Sequence, residues 1–425
     1  MEMYVQNLIS ILSGRGAREG YLAAVDQGVI SLSNFLATII LARYVSPTEL
    51  GVYGVGFILL RLVRAIQEGI IVQPMNVFGA SMDAATYKRY GSSTSVIQVM
   101  LALFMATAAA VGGWILIKFG NDTAGPTLFS LWFPILSWQL YEYLRRSLYT
   151  RGAIPRALAN TILSNGIRLG IMIWFVNLGN LTGVTGLEAI AWGSFVTIFS
   201  GLYFTRSYWT RNILNIKLTW IRNWNFGRWI LGGSVANWVA VEFYPILAAG
   251  LISFAAAGAY RALQNLVAPI HLLLRAIDTF LTPRASRIYD QNGRQGLSRT
   301  LRLIYAISAL PIAGLLIFAI LFRETLLRLL YGQSYLLYSP GIILMALYYA
   351  LWYFYSPLQS AFKAARLSQP IFIANLAAIL SMFTIGILAI RSWGVYGAIA
   401  GQALNALVIN IILWGVWFRV KKRPE

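Results

Sequence analysis

Arg61, Arg64 and Glu68 follow one another at spacings of three and four residues inside an otherwise apolar stretch, 50–73. On a helix that spacing puts all three on one face and lets Arg64 pair with Glu68. A second apolar stretch, 155–177, carries Arg168 near its centre. A third, 257–280, carries Arg261, Gln264, Asn265, His271, Arg275 and Asp278. Those six fall within an arc of roughly 140° on a helix turning about 100° per residue. A guanidinium held at mid-bilayer costs about 2.5–3.5 kcal/mol unless water or a partner relieves it, so such residues mark function. Arg261 and Arg275 lie nearer the ends of their stretch, where snorkelling to the interface is a competing reading. The planar arginine fork is suited to phosphate, which it can hold through two bonds at once. Five arginines in apolar surroundings, Arg61, Arg64, Arg168, Arg261 and Arg275, therefore point to a cationic cavity and an anionic, amphiphilic or large ligand.

The acids carry a different chemistry. Asp26, Glu68, Glu242 and Asp278 fall within apolar segments and are candidates to bind a coupling ion, a proton or sodium. Glu142 has Arg145 and Arg146 one turn away and reads as a structural pair. His271 reads as a polar lining residue rather than a metal ligand or proton relay, and no metal site is expected.

The elements that must position these residues are membrane helices. Hydrophobic residues make up 58% of the chain and charged residues 11%, with a mean hydropathy of +0.65. A soluble domain carries about 25% charged residues. Twelve apolar stretches, each near 20 residues, could each cross about 30 Å of hydrocarbon. They run over 21–43, 50–73, 95–118, 126–148, 155–177, 184–206, 227–250, 257–280, 299–322, 336–359, 370–391 and 395–418. The net charge of +20 does not signal nucleic acid, because of where it sits. Counting a residue within three positions of a span end with the adjoining loop or tail, 24 of the 34 Lys and Arg fall in the two tails and the even-numbered loops, five in the odd-numbered loops and five deeper inside the spans. That alternation is the positive-inside pattern, and it places both termini in the cytoplasm. Residues 1–20 are polar and lead into a full-length span, which reads as an uncleaved anchor.

The two halves share landmarks. Gly20 and Gly51 are 31 residues apart, as are Gly227 and Gly258; GVY at 51 is echoed by GAY at 258, and GVTG at 183 by GVYG at 394. The expected fold is all-α: twelve transmembrane helices in two six-helix bundles related by a parallel internal repeat. The expected divisions are 1–206, an N-lobe of six helices; 207–226, an amphipathic cytoplasmic linker; and 227–425, a C-lobe of six. Loop 281–298 is expected as a polar cytoplasmic connection. Prolines inside spans (134, 245, 269, 311, 340 and 357) are expected to kink them.

Enzyme chemistry finds no support. There are no cysteines, and GxxxxGK[ST], HExxH and nucleophile-elbow motifs are absent. The design instead suits a transporter. An ion-coupled multidrug or small-solute antiporter should depend on Asp26, Glu242 or Asp278. A membrane glycan polymerase should carry a large outer loop, and every outer loop here is short.

The segment LARYVSPTELGVYGVGF at 41–57 resembles the junction of the first two spans in bacterial polysaccharide flippases. AGAYRALQNLVAPIHLLLRAIDTFLTPRAS at 257–286 is similar to that family's proline-ended helix and basic loop. The chain as a whole resembles the oligosaccharidyl-lipid flippase branch of the multidrug/oligosaccharidyl-lipid/polysaccharide exporter superfamily. The resemblance implies a V-shaped pair of bundles around a central cavity and alternating access. It implies a polyprenyl-pyrophosphate-linked oligosaccharide as cargo, moved across the bacterial cytoplasmic (inner) membrane for cell-surface polysaccharide such as O-antigen or exopolysaccharide. Carried over by position, Arg61, Arg64, Arg168 and Arg275 would meet the pyrophosphate. No cofactor is implied beyond a coupling ion, and the partners are membrane lipids and other polysaccharide-assembly proteins.

Overall fold

The computed structural model describes residues 15–421 other than 366 and 368. Among the described residues the structure is helical throughout, with no strand. In chain order the helices are α1 (Arg15–Tyr44), α2 (Pro47–Gln67), α3 (Ala84–Lys118), α4 (Ala124–Ser130), α5 (Trp132–Thr150), α6 (Ile154–Asn177) and α7 (Gly183–Thr205). They continue as α8 (Ile216–Glu242), α9 (Tyr244–Leu251), α10 (Phe254–Leu266), α11 (Ala268–Leu321), α12 (Arg323–Tyr331), α13 (Gly341–Ala364), α14 (Gln369–Ser381) and α15 (Ile387–Lys421). Two π-helical segments, Glu68–Val72 and Met75–Gly79, extend α2, and a third, Met382–Gly386, joins α14 to α15. Large apolar side chains such as Phe104, Phe199 and Leu310 point outward, as a chain solvated by lipid requires.

Among the described residues, seven helical stretches are long and apolar enough to cross a membrane, or eight if α8 and α9 form one broken span. The apolar segments that fall short of this test include 50–73, 126–148 and 257–280. Their helices are interrupted at Leu131 and Val267 or pass into π-helix at Glu68, and they carry Arg61, Arg64, Glu68, Glu142, Arg145, Arg146 and Arg261. Charge and helix breaks thus coincide on the same elements.

The loop expected over 281–298 is helical instead. α11 runs through it with one break, at Gly293, whose φ of 55° and ψ of −150° need a residue without Cβ. Gly394 turns the chain in the same way within α15. The helix continues past the end of its apolar stretch although 281–292 holds Pro283 and several weak helix formers. Four of the six span prolines stand at helix starts rather than in helix interiors. Pro134, Pro245 and Pro269 occupy first turns after a break, and Pro340 precedes α13. Pro357 lies inside α13.

The chain forms two compact units. Among the described residues, one comprises 15–41 and 56–235, the other 42–55 and 236–421. In the first, the π segments after α2 supply Ile70, Ile71 and Met75 to a core completed by Tyr90, Ile97, Tyr143 and Leu144. Gln67, Gln98 and Gln139, one from each of α2, α3 and α5, join their amides beside it. Gln67 Nε2 donates to Gln98 Oε1 at 2.9 Å, and Gln98 Nε2 to Gln139 Oε1 at 3.2 Å.

In the second unit the start of α2 lies directly against α10. A Cβ on Gly51 would strike the Phe254 carbonyl, and one on Gly258 would strike the Pro47 carbonyl. The α8–α9 break lies in the same unit. Pro245 has no N–H to offer the carbonyl of Val241, four residues back, and the chain bends by 55°. Gln402 of α15 donates its Nε2 to that carbonyl at 3.1 Å, and Asn405 donates to the neighbouring Ala240 carbonyl at 3.4 Å. Both amides are held in turn: Tyr260 donates to Gln402 Oε1, and Tyr244 to Asn405 Oδ1 at 3.1 Å.

Two consequences can be measured by thermal unfolding of the purified protein in detergent. Gly258→Val should destabilise it by about 1–3 kcal/mol or more through overpacking. Gly415→Ala, at a site with nothing within 4 Å, should be neutral. Gln402→Leu should cost about 1–3 kcal/mol, the penalty for stranding a buried carbonyl; a melt equal to wild type would show that Val241 finds another donor.

Candidate functional site

Six charged side chains from three helices converge in the first unit. Glu142 of α5 is the hub. Arg145 meets it side-on, with Nε to Oε2 and Nη2 to Oε1 both at 2.9 Å. Arg146 donates Nε to Oε1 at 2.9 Å, and Arg64 of α2 reaches Oε1 with Nη2 at 3.3 Å. The remaining Arg145 nitrogen, Nη1, pairs with Asp26 Oδ2 on α1. Tyr149, one turn beyond Arg145, donates its hydroxyl to the same Asp26 oxygen at 2.7 Å. Arg146 also approaches Glu68 at 4.0 Å.

The cluster has a sealed and an open side. The side chains of Arg145, Glu142 and Asp26 are at most 4% exposed, whereas Arg64, Glu68 and Arg146 are 23–33% exposed. Three positive and three negative groups make it neutral. The cationic excess expected from sequence is therefore not within the cluster. Arg61 lies one turn before Arg64 and is partly exposed.

The expected Arg64–Glu68 pair does not form. Gln67 ends the α-helix and Glu68 opens a π-helical turn, in which the Gln73 N–H bonds to the Glu68 carbonyl five residues back. The wider turn brings residues five apart into register. Gln73 Nε2 accordingly donates to Glu68 Oε1 at 2.8 Å, and Arg64 is left to Glu142. Glu142, Arg145 and Arg146 belong to the site rather than to a local structural pair alone. Their i, i+3, i+4 spacing was visible in the sequence; the Arg64 contact across two helices was not. Tyr149 and Gln73 were missed, and only the π-turn explains Gln73.

The other sequence candidates lie elsewhere. Arg168 of α6 is buried and donates Nη1 to Asn34 Oδ1 at 2.8 Å. Asn34 is eight residues from Asp26 along α1, about 12 Å at 1.5 Å per residue, so Arg168 is not part of the cluster. Arg261 belongs to the second unit. It is buried at 8% exposure rather than snorkelled out, and donates Nη1 to Gln264 Oε1 at 3.2 Å. The single polar arc expected along 257–280 is interrupted by the Val267 break. Asn265 is turned onto Tyr331, donating to its hydroxyl at 3.0 Å, and His271 stands edge-on to Trp352. Glu242 is buried at the α8–α9 break. The side chains of Arg275 and Asp278 lie outside the described residues. Among the described residues no group of His, Cys, Asp and Glu is arranged to hold a metal ion.

Residues 40–340, well over half of the chain, match the family described as polysaccharide biosynthesis protein. The chain belongs to this family. Solved structures similar to this polysaccharide biosynthesis protein are transporters and flippases, not enzymes. An inward-facing multidrug resistance MATE family transporter of the MOP superfamily aligns at 15% identity, covering 93% of this chain and 96% of its own, with a TM-score of 0.75. The lipid II flippase MurJ, in an inward closed conformation, aligns at 16% identity over 94% and 87%, with a TM-score of 0.73. A MOP superfamily transporter from Pyrococcus furiosus, described as having a binding pocket of reversed polarity, aligns at 14% over 98% and 99%, with a TM-score of 0.65. At these identities the likeness establishes a shared fold. No curated protein matches the sequence.

The hub makes a direct prediction. Glu142→Gln leaves three guanidinium groups against two carboxylates and should cost about 3–5 kcal/mol, as breaking a buried ion pair does. Adding Arg145→Met should recover part of that loss. A double-mutant cycle on thermal stability that gives no coupling between the two positions would contradict the assignment of Glu142 as the hub.

Proposed function

We propose that this chain is a flippase that carries a polyprenyl-pyrophosphate-linked oligosaccharide across the bacterial cytoplasmic membrane by alternating access. Twelve crossings with both termini in the cytoplasm are part of that proposal, supported by the alternation of basic loops. Family membership ties the chain to polysaccharide biosynthesis, and its fold is that of membrane transporters. The observation that carries the reading is Arg64 and Arg146 on the open side of a cluster whose sealed side fixes them, with Arg61 one turn away. Preorganised guanidinium groups at membrane depth suit a pyrophosphate, and the polyprenyl tail can remain in lipid. Arg168, Arg261 and Arg275 are further candidate phosphate ligands.

Coupling to a proton or sodium would use Asp26 first. Its Oδ2 takes both Arg145 and Tyr149, while Oδ1 is buried with no hydrogen-bond partner among the described residues. Glu68, Glu242 and Asp278 are the further candidates. The same buried acids keep open a second reading, an ion-coupled antiporter for multidrug-type or small solutes, which the likeness to MATE folds also favours.

Reconstituted liposomes holding a labelled polyprenyl-pyrophosphate sugar separate the two. Protein-dependent flipping should occur and should fall at least about tenfold, or 1.4 kcal/mol, in Arg61→Gln, a variant that leaves the ion-pair cluster intact. Export of an organic cation down an ion gradient, unaffected by Arg61→Gln, would instead establish the antiporter.

A further inference from the structure

We propose that one end of the first unit holds a docking site for the phosphate of an anionic phospholipid of the surrounding bilayer, centred on Arg222. The inference goes beyond the cargo reading and does not depend on it.

Residues 206–228 contain five cations, Arg206, Arg211, Lys217, Arg222 and Arg228, and no acid. The segment is built into the unit rather than slung between helices. The Thr210 N–H donates to Ser92 Oγ at 2.9 Å, Ser93 Oγ donates to the Leu214 carbonyl at 3.0 Å, and Tyr90 donates to the buried Asn223 Oδ1 at 2.9 Å. These bonds fix the first turns of α8 against α3. Between them lies a pocket of about 180 Å³ lined by Tyr90, Leu214, Asn215, Leu218, Thr219 and Arg222.

Arg222 is held at this pocket by two aromatic rings. Its guanidinium carbon lies 4.3 Å from the Phe78 ring centroid and 5.0 Å from that of Tyr90. Ring contacts orient a guanidinium without occupying its N–H donors. Arg222 has no ion pair or hydrogen bond to any described residue, and it is exposed. A flat, oriented cation with free donors beside a pocket is a receptor for a phosphate oxygen pair.

The surroundings identify which phosphate. Leu218, Trp220, Ile221 and Trp224 stand exposed on the same helical turns, with Trp220 and Trp224 stacked at 5.9 Å. Trp and Leu beside Lys and Arg are the composition of a segment seated at the headgroup level. A free anion has no use for the exposed tryptophans, whereas a phospholipid would meet Arg222 with its headgroup and Leu218 with its acyl chains.

The test uses the full-length protein purified in detergent, with lipid binding read by native mass spectrometry. Dioleoyl phosphatidylglycerol should bind in preference to dioleoyl phosphatidylcholine. Arg222→Gln should reduce that preference about fivefold, the effect of one basic contact at an anionic surface. Arg222→Lys, which keeps the charge but not the planar fork, should fall in between and guards against a folding defect in the glutamine variant. Arg328→Gln, in the second unit, should behave as wild type. Equal binding of the two lipids, a phosphatidylglycerol preference unchanged in both Arg222 variants, or displacement of the lipid by millimolar inorganic phosphate would each overturn the proposal.

Discussion

The rest of the first unit depends on one carboxylate. In a medium that solvates charge poorly, Arg145 and Asp26 could not be buried at a few per cent exposure without Glu142 between the guanidinium groups. Glu142 accepts from three arginines on two helices, and through Arg145 it ties in a third helix at Asp26. The arrangement is a registry device as much as a source of stability. It fixes how α1, α2 and α5 face one another, and it leaves Arg64 and Arg146 oriented rather than free to sweep. An arginine restrained in this way loses little further freedom on meeting a phosphate.

The same constraint governs the backbone. Lipid offers no hydrogen bonds, so each helix break must be answered inside the protein. At the α8–α9 bend, Gln402 does so, reaching the Val241 carbonyl that Pro245 cannot serve, and Asn405 reaches the neighbouring Ala240 carbonyl. After α2 the answer is different: the chain widens into π-helix and keeps its bonds while changing register. That change of register decides the partner of Glu68 and so the composition of the site.

Much of the architecture was legible in the sequence. Apolar segments, their helical character and the arginines within them follow from composition and spacing, because lipid imposes a simple rule on every residue. Family membership was legible too, in 41–57 and 257–286. Other features were not. No spacing rule announces that Glu68 opens a π-turn, and the Arg64–Glu68 pair fails for that reason. Helix continuity across 281–292 was hidden because Pro283 and the polar residues around it read as a loop. Asn265 gave no sign that its partner would be Tyr331, since that contact joins residues far apart in the chain. Glu142 was visible as a local pair, but its role as hub requires knowing which face of α2 it meets.

The central claim is that the oriented arginines serve a lipid-linked, anionic glycan. The most direct measurement is lipid analysis of cells lacking this protein but making the glycan. The account predicts that polyprenyl-pyrophosphate-linked oligosaccharide accumulates, shielded from enzymes added outside the cytoplasmic membrane and accessible from the cytoplasmic side. Unchanged levels of the lipid-linked precursor, with its usual access to the outer face, would contradict it.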